Sequence, residues 1–166
     1  VIGEVVLTAP GHLGEMLPPL VAMQIWFGVV AVAAYHLARR RGGGPVEEAP
    51  PSELRSAVLF GLLYAVVLVV VAAAREHFGN SGLYVAAAIS GLTDVDAITL
   101  STSRLVTTAH LEASTAWRMI LLGGLANVVF KMGLVAVLGA RSFIRPALAG
   151  LGAALVGGAA VLAFWP

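Results

Sequence analysis

The chain has 166 residues, of which 59% are hydrophobic and 11% are charged, and its formal net charge is +1. A soluble domain carries roughly 25% charged residues to cover its surface, so this composition excludes a water-soluble globular fold and predicts a protein embedded in a bilayer. No extended basic surface exists beyond Arg39–Arg41, which argues against nucleic acid as a partner. The absence of cysteine removes disulfides, thiolate metal ligands and cysteine nucleophiles.

Five segments are apolar and long enough to cross a membrane. The hydrocarbon core is about 30 Å thick and needs roughly 20 residues of helix. The five windows, in chain order, are Met16–Leu37, Leu54–Ala74, Leu83–Leu105, Ala113–Leu138 and Ile144–Trp165. The sequence therefore predicts an all-α polytopic membrane protein of about five transmembrane helices, forming a single transmembrane domain over residues 1–166.

Two segments lie outside these windows and have compositions of their own. Residues 1–15 contain the apolar run Val1–Ala9, which is too short to span, so we interpret them as the tail of a preceding helix or as an interfacial segment. Residues 39–53 are rich in glycine, proline and charge, which is typical of a solvated linker.

The orientation follows from the arginines, because cytoplasmic loops collect Lys and Arg. Five crossings would place one group of arginines beside the 39–53 linker and a smaller group on the other side. The larger group is Arg39–Arg41, Arg55, Arg104 and Arg118, and the smaller is Arg75, Arg141 and Arg145. The linker is therefore predicted to be cytoplasmic.

The third window carries the chain's only two aspartates, Asp94 and Asp96, close to its middle. A charged side chain at the bilayer centre costs at least ~2.5–3.5 kcal/mol, so such residues usually face a cavity or a partner. Carboxylate and hydroxyl oxygens suit hard cations such as Mg²⁺. We predict a cation or metal site at the two aspartates, with four neighbouring side chains supplying neutral oxygens: Ser90, Thr93, Thr99 and Asn127.

A structural alternative exists for the same residues. Gly91 interrupts the helix in this interpretation, and Thr93 or Asp94 caps the half-helix that follows, with Asp96 stabilised in its first turn. Broken helices also bind ions near the midplane of transporters. The third helix is thus predicted to be broken within Gly91–Asp96, and both a functional and a purely structural role stay open.

The fourth window contains the chain's only lysine, Lys131, four residues after Asn127 on the same helical face. If the third and fourth helices are antiparallel, Lys131 falls within reach of Asp94 and acts as its counter-ion. The alternative is a lysine that extends towards the membrane interface.

Small residues recur in the last window. Ala153 and Gly157, like Ala154 and Gly158, are four residues apart and allow helices to approach closely. The pattern predicts tight packing and suggests a homodimer formed through these faces.

The run GLYVAAAISGLTDVDAITLS, followed by LLGGLANVVFKMG, resembles the C-terminal membrane domain, of unknown function, of MgtC/SapB-type proteins. The matching residues are Gly82, Tyr84, Ser90, Gly91, Leu92, Asp94, Val95, Asp96, Ala97, Ser101, Asn127 and Lys131. The resemblance covers about residues 1–165. It implies a multi-pass protein of a prokaryotic inner membrane, associated with magnesium homeostasis, with an MgtC-like half outside this chain as a possible partner.

These observations predict a membrane protein that binds and translocates a small cation, with Mg²⁺ or H⁺ favoured. The alternative is a regulatory or scaffold domain in magnesium homeostasis without transport activity. No G-x-S-x-G, H-E-x-x-H or P-loop motif is present, so no enzyme is expected, although a small intramembrane enzyme using the aspartates is a third hypothesis. No cofactor is expected apart from Mg²⁺ as a bound or transported ion.

A topology reporter tests the orientation. Fused after Arg41 it should report a cytoplasmic position, and inserted at residues 78–81 it should report an external one, because the arginine excess lies beside the linker. The opposite result at both sites would show that the predicted orientation is inverted.

Overall fold

The computed structural model describes residues 1–40, 58, 61–62, 65, 83–108, 111–139 and 141–166. Within these ranges all regular structure is helical, which confirms the all-α class. The elements are α1 (Ile2–Thr8), a 3-10 turn (Pro10–His12), α2 (Leu13–Arg40), α3 (Leu83–Thr93), α4 (Val95–Thr108), α5 (Ala113–Leu138) and α6 (Arg141–Phe164). The second predicted window, Leu54–Ala74, lies outside the described residues except at single positions.

Three described segments are long and apolar enough to cross a membrane. They are Pro10–Arg40, Ala113–Leu138 and Phe143–Phe164. They correspond to the first, fourth and fifth windows of the sequence, so the chain is a polytopic membrane protein.

The third window is broken at Asp94 and its two halves bend sharply. A Cβ added to Gly123 would lie 3.0 Å from Ile98 Cγ2 and 3.3 Å from the carbonyl oxygen of Ala87. In a straight helix, residues eleven positions apart are separated by roughly 16 Å along the axis. Because both residues contact one glycine, α3 and α4 cannot form a single rod across the membrane.

Helix α3 runs in the same direction as α5. Ala87 packs in a small cluster with Met119 of α5, whereas Leu92, near the end of α3, accepts a hydrogen bond from Asn127. Later residues of α3 therefore lie against later residues of α5.

Helix α4 returns in the opposite direction. Ile98, near its start, contacts Gly123, whereas Val106, near its end, belongs to the core cluster that includes Ala113 at the beginning of α5. Helices α3 and α4 therefore form a hairpin, here called the α3–α4 hairpin, with its tip at residues 93–96. Both outer ends of this hairpin lie at the end of the molecule where α5 begins.

Helix α2 also runs in the same direction as α5. Its buried residues lie within Met16–Met23, and those of α5 lie within Ala113–Val128, so the first halves of the two helices share the core. Met23 also approaches Gly124, with its Cε 3.9 Å from the position of an added Cβ.

This arrangement corrects one part of the predicted orientation. Arg39 and Arg40 end α2 and lie at the opposite end of the bundle from Arg118, near the start of α5. The prediction that grouped Arg104 and Arg118 with Arg39–Arg41 is therefore wrong, because the hairpin returns to the side from which it started. Arg145, near the start of α6, lies at the Arg39 end instead.

The small residues of α6 pack against helices of the same chain. The indole of Trp26 lies against Gly157, and its Nε1 donates a hydrogen bond to the carbonyl of Ala153 over 3.0 Å. Gly158 accommodates the side chain of Leu125. Both predicted small-residue pairs thus contain a glycine that packs within the chain, and the homodimer stays a prediction.

Because the natural chain lacks cysteine, single cysteines test the hairpin directly. We expect Leu83→Cys and Glu112→Cys to react with a membrane-impermeant maleimide from the same side. Val137→Cys, which is exposed near the end of α5, should react from the other side, since α5 crosses between Glu112 and Val137. Labelling in right-side-out and inverted vesicles measures this. If Leu83→Cys and Glu112→Cys react from opposite sides, residues 83–108 span the membrane and the hairpin is wrong.

Candidate cation site at the hairpin tip

The hairpin tip lies near the middle of the bilayer. Helix α3 has 11 residues, which correspond to about 16 Å of helix, or roughly half of a 30 Å hydrocarbon core. Asn127 of α5, which reaches the end of α3, is likewise close to the midpoint of Ala113–Leu138. The residues at the tip therefore occupy the most apolar depth of the membrane.

Gly91 is a contact residue, and the break lies three residues beyond it. Gly91 is buried inside α3, and a Cβ at this position would overlap the backbone of Gly123. Two glycines facing each other allow the backbones of α3 and α5 to approach more closely than any side chain would permit. The sequence interpretation that Gly91 interrupts the helix is corrected accordingly.

Asp94 ends α3 and begins α4. Its own N–H donates to the carbonyl of Ser90 over 2.9 Å, which closes the last turn of α3. Its Oδ1 accepts hydrogen bonds from the N–H groups of Asp96, at 2.9 Å, and Ala97, at 3.0 Å. This is the N-cap geometry, and the negative charge lies at the positive end of the α4 dipole.

Side chains also bind the carbonyl groups at the end of α3. Asn127 Nδ2 donates to the carbonyl of Leu92 over 3.4 Å, and Thr93 Oγ1 donates to that of Ser90 over 3.2 Å. In lipid, backbone groups left by a broken helix need such partners because no water replaces them. The structure thus brings together Ser90, Thr93, Asp94 and Asn127 around one helix end.

Asp96 and Thr99 lie on the next turn of α4. The Asp96 side chain is 73% exposed, and its Oδ1 lies 3.8 Å from the backbone nitrogen of Val1. Thr99 is fully buried, and its hydroxyl donates to the carbonyl of Val95 over 2.7 Å. Asp94 is exposed as well, so two carboxylates remain uncovered at a depth where charge is expensive.

Lys131 does not join this group. Its side chain is exposed, and among the described residues it forms no ion pair with either aspartate. Helices α3 and α5 run in the same direction, so Lys131 continues one turn past Asn127, beyond the hairpin tip. Its role as a counter-ion stays a prediction that no contact supports.

The acidic side chains of the hairpin tip itself are Asp94 and Asp96. In the described part of the chain, no group of three or more His, Asp or Glu side chains is arranged to hold a metal ion.

One acidic residue near the tip was missed by the sequence interpretation. Glu4 of α1 has a buried carboxylate oxygen, Oε2, which lies 3.0 Å from the backbone nitrogen of Val1. The sequence signal is a single acid inside the apolar run Val1–Ala9, which the sequence alone predicts to be the tail of a helix.

Comparison with known proteins gives a family and one bacterial relative. A family described as a domain of unknown function (DUF4010) matches residues 1–139, which include the hairpin and α5. An uncharacterized protein of Aquifex aeolicus (strain VF5) is 36% identical over 91 residues, which are 55% of this chain and 40% of that protein. The alignment therefore spans less than half of that relative. No solved structure matches the chain.

The capping role of Asp94 is separable from its charge. Asp94→Ala should lower the free energy of unfolding by ~1 kcal/mol, whereas Asp94→Asn should leave it nearly unchanged, because asparagine caps as well as aspartate. Thermal unfolding in detergent measures both, with Asp96→Ala as the matched control, since the Asp96 carboxylate accepts no backbone hydrogen bond from the described residues. Equal losses for the Asn and Ala variants of Asp94 would contradict the cap.

Proposed function

The chain belongs to the DUF4010 family, and we propose that it is a membrane protein that binds and translocates a small cation at the tip of the α3–α4 hairpin. Asp94 and Asp96 provide the charge. Ser90, Thr93, Thr99 and Asn127 shape the surrounding polar environment.

The observation that carries this proposal is the pair of exposed aspartates at a mid-membrane helix break. A fold that needed only a cap would need only Asp94, and a neutral asparagine would serve equally well. Among the described residues, the Asp96 carboxylate accepts no hydrogen bond that stabilises the turn, yet it adds a second charge at the same depth. Intramembrane acids of this kind commonly mark ion paths, and discontinuous helices commonly form the ion sites of transporters.

The two aspartates have different roles in this proposal. Asp94 is fixed by two backbone N–H groups on Oδ1, which leaves Oδ2 for a ligand in a defined place. Asp96 is exposed and can rotate towards an arriving cation. The carbonyl end of α3 contributes the negative end of its dipole on the opposite side of the turn.

Mg²⁺ and H⁺ are the two candidate cations. The resemblance of GLYVAAAISGLTDVDAITLS to the membrane domain of MgtC/SapB-type proteins favours Mg²⁺ and an inner membrane of a prokaryote. The small number of carboxylates favours a proton or a hydrated ion. Mg²⁺ would bind with part of its water shell retained.

A regulatory or scaffold role is the second candidate, and a specific observation favours it. Asp94 and Asn127 both form hydrogen bonds to backbone groups that stabilise the hairpin. If these bonds are their whole contribution, the tip is a structural joint.

Flux into proteoliposomes distinguishes the two candidates. Asp94→Asn and Asp96→Asn should each lower cation flux by roughly tenfold or more, equivalent to about 1.4 kcal/mol of lost interaction, while the fold persists because the cap is retained. Glu112→Gln, an exposed acid before α5, is the matched control and should keep wild-type flux. Full flux in both aspartate variants would leave the scaffold role as the better explanation.

A further inference from the structure

Helix α1 leads away from the hairpin tip along α4. The backbone nitrogen of Val1 lies 3.8 Å from Asp96 Oδ1, at the start of α4. Val5 and Ala9 are fully buried in the same core cluster as Val106, near the end of α4. The two helices therefore run side by side in the same direction, from mid-membrane to the surface where α5 begins.

Glu4 brings a third carboxylate to this contact. Its Oε2 is buried, and its recorded partner among the described residues is the backbone nitrogen of Val1. The nitrogen of Val1 lies 3.0 Å from this oxygen and 3.8 Å from Asp96 Oδ1, so the carboxyl groups of Glu4 and Asp96 flank one atom. A buried carboxylate is expensive unless it is protonated or is paired with a positive charge or a hydrogen-bond donor.

The hydroxyl groups of α4 provide an internal comparison. Ser101, Thr107 and Thr108 each donate to a carbonyl three or four residues earlier, as helical hydroxyls in apolar surroundings usually do. Ser103 is 0% exposed, and its Oγ has no hydrogen-bond partner within the part of the chain that the structure describes. Ser103 is seven residues after Asp96 and therefore shares the Asp96 face of α4, next to α1.

A second buried titratable atom follows along the same route. Nδ1 of His12, in the turn after α1, is buried and makes no hydrogen bond to the described residues. Thr102, Ser103 and His12 thus have polar side-chain atoms without hydrogen-bond partners in the described part of the chain, between Glu4 and the surface.

We propose that these groups form a proton path, in which Glu4 receives the proton that Asp96 releases. The O–H bond of the Asp96 carboxyl breaks and an O–H bond forms on the Glu4 carboxylate, which leaves Asp96 ionised and ready to be protonated again from the far side. The Ser103 hydroxyl, which both donates and accepts, and His12 carry the proton onward. This inference rests on the proposed function and assigns its cation as H⁺.

The geometry favours a proton over a metal ion along this route. No cluster of three His, Asp or Glu side chains among the described residues could hold a metal. The buried hydroxyl of Ser103 can accept a proton and donate one in turn, which needs no open channel for a hydrated ion.

The experiment measures H⁺ and Mg²⁺ entry separately in proteoliposomes that contain a pH dye or a magnesium dye. Glu4→Gln should lower H⁺ entry by roughly tenfold or more, as expected for loss of an obligatory acid, while Glu15→Gln, an exposed acid of α2, should match the wild type. Ser103→Ala should lower H⁺ entry severalfold with stability unchanged or raised, whereas Ser101→Ala should change neither. Thermal unfolding verifies that each variant is folded.

A second measurement does not depend on flux. A hydrophobic carbodiimide reacts with protonated carboxyl groups inside membranes, so Glu4 and Asp96 should both be modified in the wild type, as mapped by peptide mass spectrometry. Modification of Asp96 without Glu4 would contradict the path even if Glu4→Gln failed to fold.

The outcomes separate this inference from the proposed function. If Asp96→Asn abolishes flux but Glu4→Gln and Ser103→Ala do not change it, the path is wrong and the cation site stands. If Mg²⁺ enters and H⁺ does not, the proton assignment is wrong. If neither aspartate variant changes the entry of either ion, or neither ion enters with the wild type, both proposals fail.

Discussion

The hydrogen bonds that Asp94 accepts are the interaction on which the rest of the structure depends. A chain that reverses inside a bilayer leaves N–H groups at the start of one helix and carbonyl groups at the end of another, and lipid satisfies neither. Asp94 Oδ1 binds two of these N–H groups, and Asn127 binds one of the carbonyls from the neighbouring helix. A side-chain oxygen therefore has a structural reason to be at this depth, whereas the negative charge of Asp94 goes beyond what the cap needs.

Close packing between two glycines keeps the turn at Asp94 against α5. Gly91 and Gly123 bring α3 and α5 together so closely that either Cβ would meet backbone or side-chain atoms of a neighbour. Because the two backbones are in contact, Asn127, one turn after Gly123, reaches the end of α3 with a short side chain. The hydrogen bonds at the hairpin tip and the glycine contact between α3 and α5 thus stabilise the same arrangement.

The sequence predicted the parts of this arrangement that depend on composition and on local chemistry. Hydropathy located the three long described spans, and the break falls within the predicted range Gly91–Asp96, at Asp94 and not at Gly91. Sequence did not reveal the direction of the chain after the break, because a spanning helix and a hairpin over residues 83–108 have the same hydropathy and length. The prediction that the third and fourth helices are antiparallel, which would place Lys131 near Asp94, is wrong for that reason. Glu4 was missed because its environment is made by α4, about ninety residues later.

The hairpin also determines on which side of the membrane each later helix begins. A segment that returns to its starting side contributes no crossing, so α5 begins on the side where α3 begins, and every later loop keeps the side that this fixes. Were residues 83–108 to straighten into one helix, α5 and α6 would have to invert together, and Arg118 and Arg145 would exchange sides. One capped turn at Asp94 thus determines which face of the membrane each downstream residue meets.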